Sequence, residues 1–543
     1  MKIVVAEKIS SSAIEILREE KRWHIVTADQ LDGKLAAQVA DADALIVRSA
    51  VQADAKLLEN ARKLRVIGRA GVGVDNVDLE AATRHGIAVM NTPGANAVAV
   101  AEHTLGLALA MARHLCRADA LMHAGKWEKK SLQGTELRGK VLGIVGLGRI
   151  GFEVARRARA FAMKVVAHDP FVSAEAARRE EIALAPLDQL LSGADYITLH
   201  LALTPQTAGM INAETVRKMK KGARLINCAR GELVDEAAVA AALRDGHLAG
   251  AALDVFTDEP PKDSPLLTAP NIILTPHIAG STHEAQEAVG VQIAIQVREF
   301  LRRGVIQNAV NVPSVSDEEY AALEPYMTLA ERLGSFLAQA SEGGPEEIAL
   351  EYSGPIAGRQ TQLVRNAALK GVLNAVLAEK ANLVNASAMV QERGIRVHET
   401  SKPTASANGT PSVLTVHFKT RAGEHEVRGT VLHGRSPRLI VVDGIDIEAP
   451  LERHLIYLRN RDVPGVIGRI GTILGEAKIN IANFSLGRVE AAARAARVPA
   501  SSGHGSGLEA VCVVHVDAAV PDAVLHQLRA VPAITLAKAI RLE

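Results

Sequence analysis

The sequence predicts an α/β protein: two doubly wound domains with parallel sheets, followed by two smaller α+β units. Three observations lead there. Short apolar runs alternate with amphipathic helical stretches from Met1 to about Ile306. One of those runs feeds a glycine-rich turn that opens a helix. Beyond Pro313 the pattern changes to alternating strands mixed with helices.

A chain of 543 residues exceeds what one hydrophobic core can organise, and its length suggests roughly three or four domains. With 48% hydrophobic and 23% charged residues, the composition is that of an ordinary soluble protein. Sixty-two basic residues against sixty-one acidic ones argue against a nucleic-acid or membrane-surface partner, while local basic patches remain available for a small anion. The chain opens on an apolar strand at residues 3–6 with no long apolar signal region, so export is not expected. The most apolar window, 95–112, contains Glu102 and His103 and follows Pro93, which reads as a buried helix and not a membrane span. Three scattered cysteines without ligand spacing (Cys116, Cys228, Cys512) indicate no metal site and a reduced, cytoplasmic setting.

In order, the apolar runs of the first region fall at 44–47, 64–67, 141–145, 164–167, 196–199, 224–227 and 272–275. Four to six apolar residues between helical stretches suit parallel strands buried on both faces. The later region shows strands at 412–418 and 439–442, with turns at Ala422-Gly423 and Asp443-Gly444. Residues 400–411 are polar and small, which predicts a mobile loop, and an Ala/Arg/Ser/Gly-rich insert at about 490–507 is expected to be disordered. A last strand–turn–helix–strand unit begins at 455–458, turns at Pro464-Gly465, and continues through a helix at about 466–477.

The strongest local motif is Gly146-Leu147-Gly148-Arg149-Ile150-Gly151, preceded by the run at 141–145 and followed by a helical stretch. In that context Gly146 permits a tight turn, Gly148 lets backbone approach a pyrophosphate, and Gly151 allows close helix-to-strand packing. The helix N-terminus then offers free N–H groups to phosphates. Asp169 follows Gly151 by eighteen residues at the end of the next strand. A carboxylate there accepts ribose hydroxyls and repels a 2′-phosphate, favouring NAD over NADP. These features predict a Rossmann-like domain.

Three downstream segments put polar residues where parallel strands should end: Asn227 to Gly231, Asp254 to Pro260, and Thr275 to Gly280. Oxidising an alcohol with a nicotinamide needs a proton acceptor, a clamp for the substrate and a dry cavity. His277 suits the first role, because histidine titrates near neutrality. Glu259 could fix its tautomer, and Arg230 offers a bidentate fork for a carboxylate. Singly, each has a plainer reading: a structural histidine, a turn, a surface arginine.

Together with Gly68-Arg69-Ala70-Gly71-Val72-Gly73-Val74-Asp75-Asn76 and Lys126-Trp127-Glu128, these strings make residues 1 to about 310 resemble the D-isomer-specific 2-hydroxyacid dehydrogenase family, in particular its 3-phosphoglycerate-oxidising branch. The resemblance implies a catalytic trio of Arg230, Glu259 and His277, with His277 as acid/base. It implies NAD contacts from Gly146, Gly148, Arg149, Ile150, Gly151, Asp169, Thr204, Cys228, Ala229, Arg230, Asp254, His277, Ala279 and Gly280. Substrate contacts are implied for Arg48, Ser49, Arg69, Gly71 and Arg230. Lys129 and Lys130 are either a solvated surface or a basic cluster reaching a neighbouring subunit's site. This chain departs from the family pattern at Val72, where Thr or Ser is usual, and at Leu201-Ala202, where a small residue followed by Pro is frequent. Cys228 is read as a small packing residue beside the nicotinamide, since no base is paired with it.

The C-terminal unit resembles an ACT domain, a βαββαβ module, which implies effector positions at Asn460, Asp462 and Asn480 with L-serine as the effector; a purely structural dimerisation role is the alternative. Residues 313–451 resemble the intervening domain of long-form members. The implied organisation is a discontinuous substrate-binding domain (1–94 and 283–312), an inserted NAD domain (95–282), an intervening domain (313–451) and an ACT domain (452–543), assembled as a homo-oligomer, a tetramer. A glyoxylate or hydroxypyruvate reductase and an NAD-binding regulatory protein are the rival readings, and both lack the C-terminal units.

Overall fold

Apolar runs of two to five residues form the first two sheets of the computed structural model, which describes residues 1–377, 380–402, 412–488 and 509–542. The first sheet holds β1 (Lys2–Val5), β2 (His24–Val26), β3 (Ala44–Val47), β4 (Val66–Arg69) and β5 (Ala88–Met90), all parallel in the order β2-β1-β3-β4-β5. Every residue of β3 is fully buried, as a strand covered on both faces requires. The strand expected at 64–67 begins two residues later, because the Leu64 N–H turns back to the Ala61 carbonyl. The helix His283–Arg303 returns to this sheet, packing Val289, Ile293, Val297 and Phe300 into the same core as Ile3, Val5 and Leu17.

The second sheet comprises β6 (Val141–Val145), β7 (Lys164–His168), β8 (Ala183–Leu184), β9 (Tyr196–Leu199), β10 (Arg224–Asn227), β11 (Gly250–Leu253) and β12 (Ile272–Leu274). It is parallel throughout, ordered β12-β11-β10-β9-β6-β7-β8, so strand order reverses between β6 and β9. In the first sheet the reversal lies between β1 and β3. Ligands of open α/β sheets bind outside the carboxyl ends of strands at such points. The apolar window of the sequence is the helix Ala97–Arg113, buried against this sheet and the helix Arg149–Ala160. Among the described residues no helix is long and apolar enough to cross a membrane.

After residue 306 the chain runs along β5: the Val310 N–H donates to Val89 O (2.8 Å) and the Asn91 N–H to Asn308 O (3.1 Å). It then enters a third sheet of β13 (Pro345–Ser353), β14 (Arg396–Lys402), β15 (Val413–Thr420), β16 (Gly423–Leu432), β17 (Ser436–Val442) and β18 (Ile445–Pro450), ordered β14-β13-β15-β16-β17-β18. Only β13 and β14 are parallel neighbours within it. Helices Asp317–Ala340 and Gln362–Val376 cross closely; a methyl at Gly371 would lie 2.0 Å from Glu331 O. The loop expected at 400–411 is corrected at its start: Thr400, Ser401 and Lys402 belong to β14, aligned with Glu351, Tyr352 and Ser353. Its remainder to 411, and the insert at 490–507, lie outside the described residues.

The fourth sheet, β19 (His454–Arg461), β20 (Ile481–Arg488), β21 (Glu509–Val516) and β22 (Ile534–Arg541), is antiparallel in the order β20-β21-β19-β22. Helices Val466–Glu476 and Asp522–Arg529 complete a βαββαβ unit. Alternation along β19 divides its side chains between two cores. Ile456 and Leu458 face the unit's own helices, whereas Leu455 and Tyr457 join the cluster of the third sheet, where Phe336 meets Tyr457 edge-on at 5.4 Å.

Candidate active site

The glycine turn follows β6 and opens the helix Arg149–Ala160, with Gly148 as its N-cap. Gly146 adopts φ +96°, and a methyl on it would lie 2.6 Å from His200 O; one on Gly151 would lie 2.3 Å from Gly146 O. Around Gly148 none of the described residues comes within 4 Å of a would-be Cβ, leaving open space at the helix N-terminus. Two closed positions flanking an open one suit a pyrophosphate held by backbone N–H groups. Asp169 follows β7; its carboxylate accepts from the Leu147 N–H (2.8 Å) and the Phe171 N–H (2.8 Å), which holds it beside the turn. Ile150 packs against the second-sheet core, and Thr204 caps an exposed loop in which its N–H donates to Thr207 Oγ1 (2.8 Å). The Arg149 side chain instead reaches the Pro93 carbonyl, where the chain passes between the first two sheets.

The carboxyl ends of β10, β11 and β12 converge on the same side. Asp254, completely buried, organises the segment after β12. Its Oδ1 accepts from Thr275 Oγ1 (2.5 Å) and the Ile278 N–H (2.9 Å), its Oδ2 from the Ala279 N–H (2.8 Å), and His103 stands 3.5 Å away. Burial alone would raise this carboxyl, but those hydrogen bonds outweigh it and hold it below the usual carboxylate range. Asp254, expected at the cofactor, thus also supports the 275–279 loop with both oxygens. That loop carries His277 at φ +52°, a left-handed conformation uncommon for histidine, fixed by its N–H on Asp254 O (2.8 Å). His277 Nδ1 lies 2.7 Å from Glu259 Oε2, whose other oxygen accepts from the Phe256 N–H (3.2 Å). A carboxylate on Nδ1 selects the tautomer and leaves Nε2 of this half-exposed ring to a substrate. Gly280 abuts Asn96.

Arg230 follows β10, its backbone shaped by Asn227, whose amide donates to Arg230 O (2.8 Å) and accepts from the Ala229 N–H (3.0 Å). Its guanidinium crosses to the first domain: Nε donates to Asp75 Oδ2 (3.0 Å), and a methyl on Gly73 would collide with Nη2. Arg69, at the end of β4, packs over Gly71, and its Nε is buried without a hydrogen-bond partner among the described residues. Burial, with Arg230 and Arg48 nearby, pulls its guanidinium below its ordinary value, while Asp75 and Glu7 oppose the shift. Three arginines therefore share one field at the carboxyl ends of β3, β4 and β10, an arrangement that suits an anion. Arg48 and exposed Ser49 lie in a loop whose N–H groups are held by a residue the sequence reading missed: the Glu7 carboxylate accepts from Arg48 N (2.8 Å), Ala50 N (3.2 Å) and Val51 N (3.0 Å). Asp75 and Asn76 were missed as well, although they end the quoted string from Gly68. His103 was missed because it sits in a largely apolar helix more than 150 residues before Asp254. Lys129 and Lys130 occupy an exposed turn.

Cys228 is buried beside Thr104 and Asp254. Burial pushes its thiol up to about 12, with Asp254 adding and the Thr104 hydrogen bond opposing. Alkylation by iodoacetamide at pH 8 is therefore expected at exposed Cys116 and not at Cys228; peptide mapping that found Cys228 modified in the folded protein would contradict this.

The three implied effector residues do not meet within one chain. Asn460 is buried on β19 opposite Ala510, and Asp462 pairs with Arg488 at 3.3 Å, at the same end of the sheet. Asn480 precedes β20 at the other end, donating to Asp517 Oδ2 (2.7 Å). The length of β20 separates them.

Comparison with known proteins places this geometry in a family. Residues 105–279 match the D-isomer specific 2-hydroxyacid dehydrogenase NAD binding domain, 322–443 the D-3-phosphoglycerate dehydrogenase intervening domain, and 454–533 the ACT domain. The chain is 40% identical over 533 residues to a D-3-phosphoglycerate dehydrogenase of Methanocaldococcus jannaschii, covering 98% of each chain. It is 38% identical over 541 residues to that of Bacillus subtilis, covering 100% of this chain and 99% of the relative. Among solved structures, the TT0316 protein of Thermus thermophilus matches 57% of this chain and 100% of its own (TM-score 0.52, 38% identity). The D-lactate dehydrogenase of Aquifex aeolicus, solved with NAD and lactic acid, matches 58% of this chain and 100% of its own (TM-score 0.51, 28% identity). The chain belongs to the D-3-phosphoglycerate dehydrogenase family within the D-isomer specific 2-hydroxyacid dehydrogenases.

Proposed function

We infer that the protein oxidises D-3-phosphoglycerate to 3-phosphohydroxypyruvate, the first step of the phosphorylated route to L-serine. The observation that carries the reading is the pairing of His277 with Glu259 at strand ends of the sheet whose β10 carries Arg230, which shares a field with Arg48 and Arg69. NAD, held at the glycine turn with Asp169 at its ribose, supplies the hydride acceptor when bound. His277 Nε2 takes the hydroxyl proton, and Glu259 holds Nδ1–H and balances the imidazolium that results. Arg230 clamps the substrate carboxylate, and Arg48 and Arg69 meet the phosphate. The 275–279 loop, built on buried Asp254, keeps the imidazole in place.

The test is NADH formation at equal concentrations of D-3-phosphoglycerate, D-glycerate and D-lactate, with and without millimolar L-serine. Preference for the phosphorylated acid by about tenfold or more is expected, since a charged-group contact contributes about 1.5–3 kcal/mol. Equal rates on all three acids would sink the substrate assignment. The reading extends to feedback by L-serine and to a cytoplasmic homotetramer. Because Asn480 lies at the far end of the sheet from Asn460 and Asp462, an effector touching all three needs two copies of the chain. Serine inhibition that persists in a monomeric form would remove that part alone.

A further inference from the structure

The loop 380–385 of the third-sheet unit is tied by asparagine side chains. Asn374 pairs with the Ala381 backbone in both directions (2.8 and 3.1 Å), and the Asn366 amide donates to Leu383 O (2.9 Å). Asn385 Oδ1 accepts from the Asn382 N–H (2.7 Å), and Asn382 Oδ1 accepts from the Val384 N–H (2.8 Å) and the Asn385 N–H (3.2 Å). Asn366 and Asn385 are buried. A loop this fully satisfied internally is rigid, and it spends one donor outside itself: Asn382 Nδ2 donates to Gly86 O of the first domain (2.8 Å). Gly86 sits at φ +70°, and a methyl there would lie 2.3 Å from Asn382 Nδ2, so the Asn382 side chain packs directly on the Gly86 backbone.

Gly86 closes the helix Leu79–Arg84, its N–H bonding to Thr83 O. The same end is held by Asn311, whose amide donates to Thr83 Oγ1 (3.0 Å) and Ile87 O (2.9 Å). Six residues make a rod of about 9 Å. At its other end Asp78 caps the first turn, and the two residues just before Val77 are Asp75 and Asn76. Asp75 holds Arg230. Asn76 donates to Arg48 O (2.9 Å) and Val51 O (2.6 Å), and its carbonyl accepts from the Ala53 N–H (2.8 Å). The loop that leads into the rod therefore holds the Arg230 guanidinium and the Arg48 backbone carbonyl, and the rod's other end is gripped by the linker and by the third-sheet unit.

We propose that Asn382 is a positioning residue for substrate binding, acting through Gly86 and the helix Leu79–Arg84 to set the loop that carries Asp75 and Asn76. A shift of the third-sheet unit relative to the first domain pulls on this rod before it reaches any residue of the NAD-binding sheet. Substrate affinity, and not the hydride step, is the quantity it controls. The inference rests on the substrate reading above for its kinetic arm only.

The variant that isolates the contact is Asn382→Asp. It keeps Oδ1 as acceptor for Val384 and Asn385, while the amide donor facing Gly86 O becomes an acceptor against an acceptor. In the full-length protein, amide hydrogen exchange at residues 72–77 without substrate is expected to quicken by about threefold or more, with the core of the second sheet unchanged. With D-3-phosphoglycerate, KM is expected to rise by about three- to tenfold while kcat stays within about twofold, the signature of lost ground-state binding. Failure of the wild type to use this substrate would bear on the substrate reading, and the exchange arm would still test the rod. Exchange quickened at 380–385 but unchanged at 72–77, or kcat falling in step with kcat/KM, would overturn the proposal and leave Asn382 a residue of local structure.

Discussion

Replacing His277 by Ala is expected to lower kcat by about 10²–10⁴-fold, the usual worth of a positioned acid/base. The ring is half exposed and its Nδ1 is already committed to Glu259, so truncation removes the proton acceptor without opening a core cavity. NADH binding should survive, because Gly146, Gly148 and Gly151 belong to a different loop. Fluorescence titration of NADH together with single-turnover kinetics separates the two quantities. A kcat within tenfold of wild type would show that another group takes the proton. Lost NADH binding would instead trace to collapse of the 275–279 loop, which depends on Asp254 receiving the Ile278 and Ala279 N–H groups.

The second large effect is expected at Arg230. Its side chain is mostly shielded and bridges from the end of β10 to Asp75 in the first domain. Truncation to Ala removes a charge-assisted fork from the substrate carboxylate, a loss of about 2–5 kcal/mol that corresponds to a drop of some 30- to several-thousand-fold in kcat/KM, whereas exposed Asp75 is left to solvent at little cost. Lys in its place should recover only part, since an ammonium cannot reproduce the planar fork that reaches Asp75 and a carboxylate together. Steady-state kinetics on the two variants check this; an Arg230→Ala enzyme within tenfold of wild type would exclude the clamp.

The dinucleotide turn was legible because its chemistry is local. Gly146 to Gly151 carry their own strand, turn and helix start, and the constraint on Gly151 comes from Gly146 O, five residues away. His277, Glu259 and Arg230 were legible only as a set, and chiefly through family resemblance. The part Asp254 plays in holding the 275–279 loop was not legible, because the Thr275 hydroxyl and the Ile278 and Ala279 N–H groups that reach its oxygens lie more than twenty residues further along the chain. Glu7 escaped notice because it binds the 48–51 loop across more than forty residues of chain.

The sequence by itself determined what depends on short-range pattern. It set the alternation that buries all of β3 and nearly all of β6 in parallel sheets, the glycine spacing of the phosphate turn, and the strand–turn–helix opening of the last unit. Tertiary structure alone decided what depends on groups distant in sequence. It brought Asp75 to Arg230 across 155 residues and Asn382 to Gly86 across 296, and it parted Asn480 from Asn460 by the length of β20. Periodicity is written into neighbouring residues. A convergence of loops follows only after whole sheets have packed, because the position of each side chain is then set by cores such as the one joining Ile293, Phe336 and Tyr457, to which no local segment is sufficient.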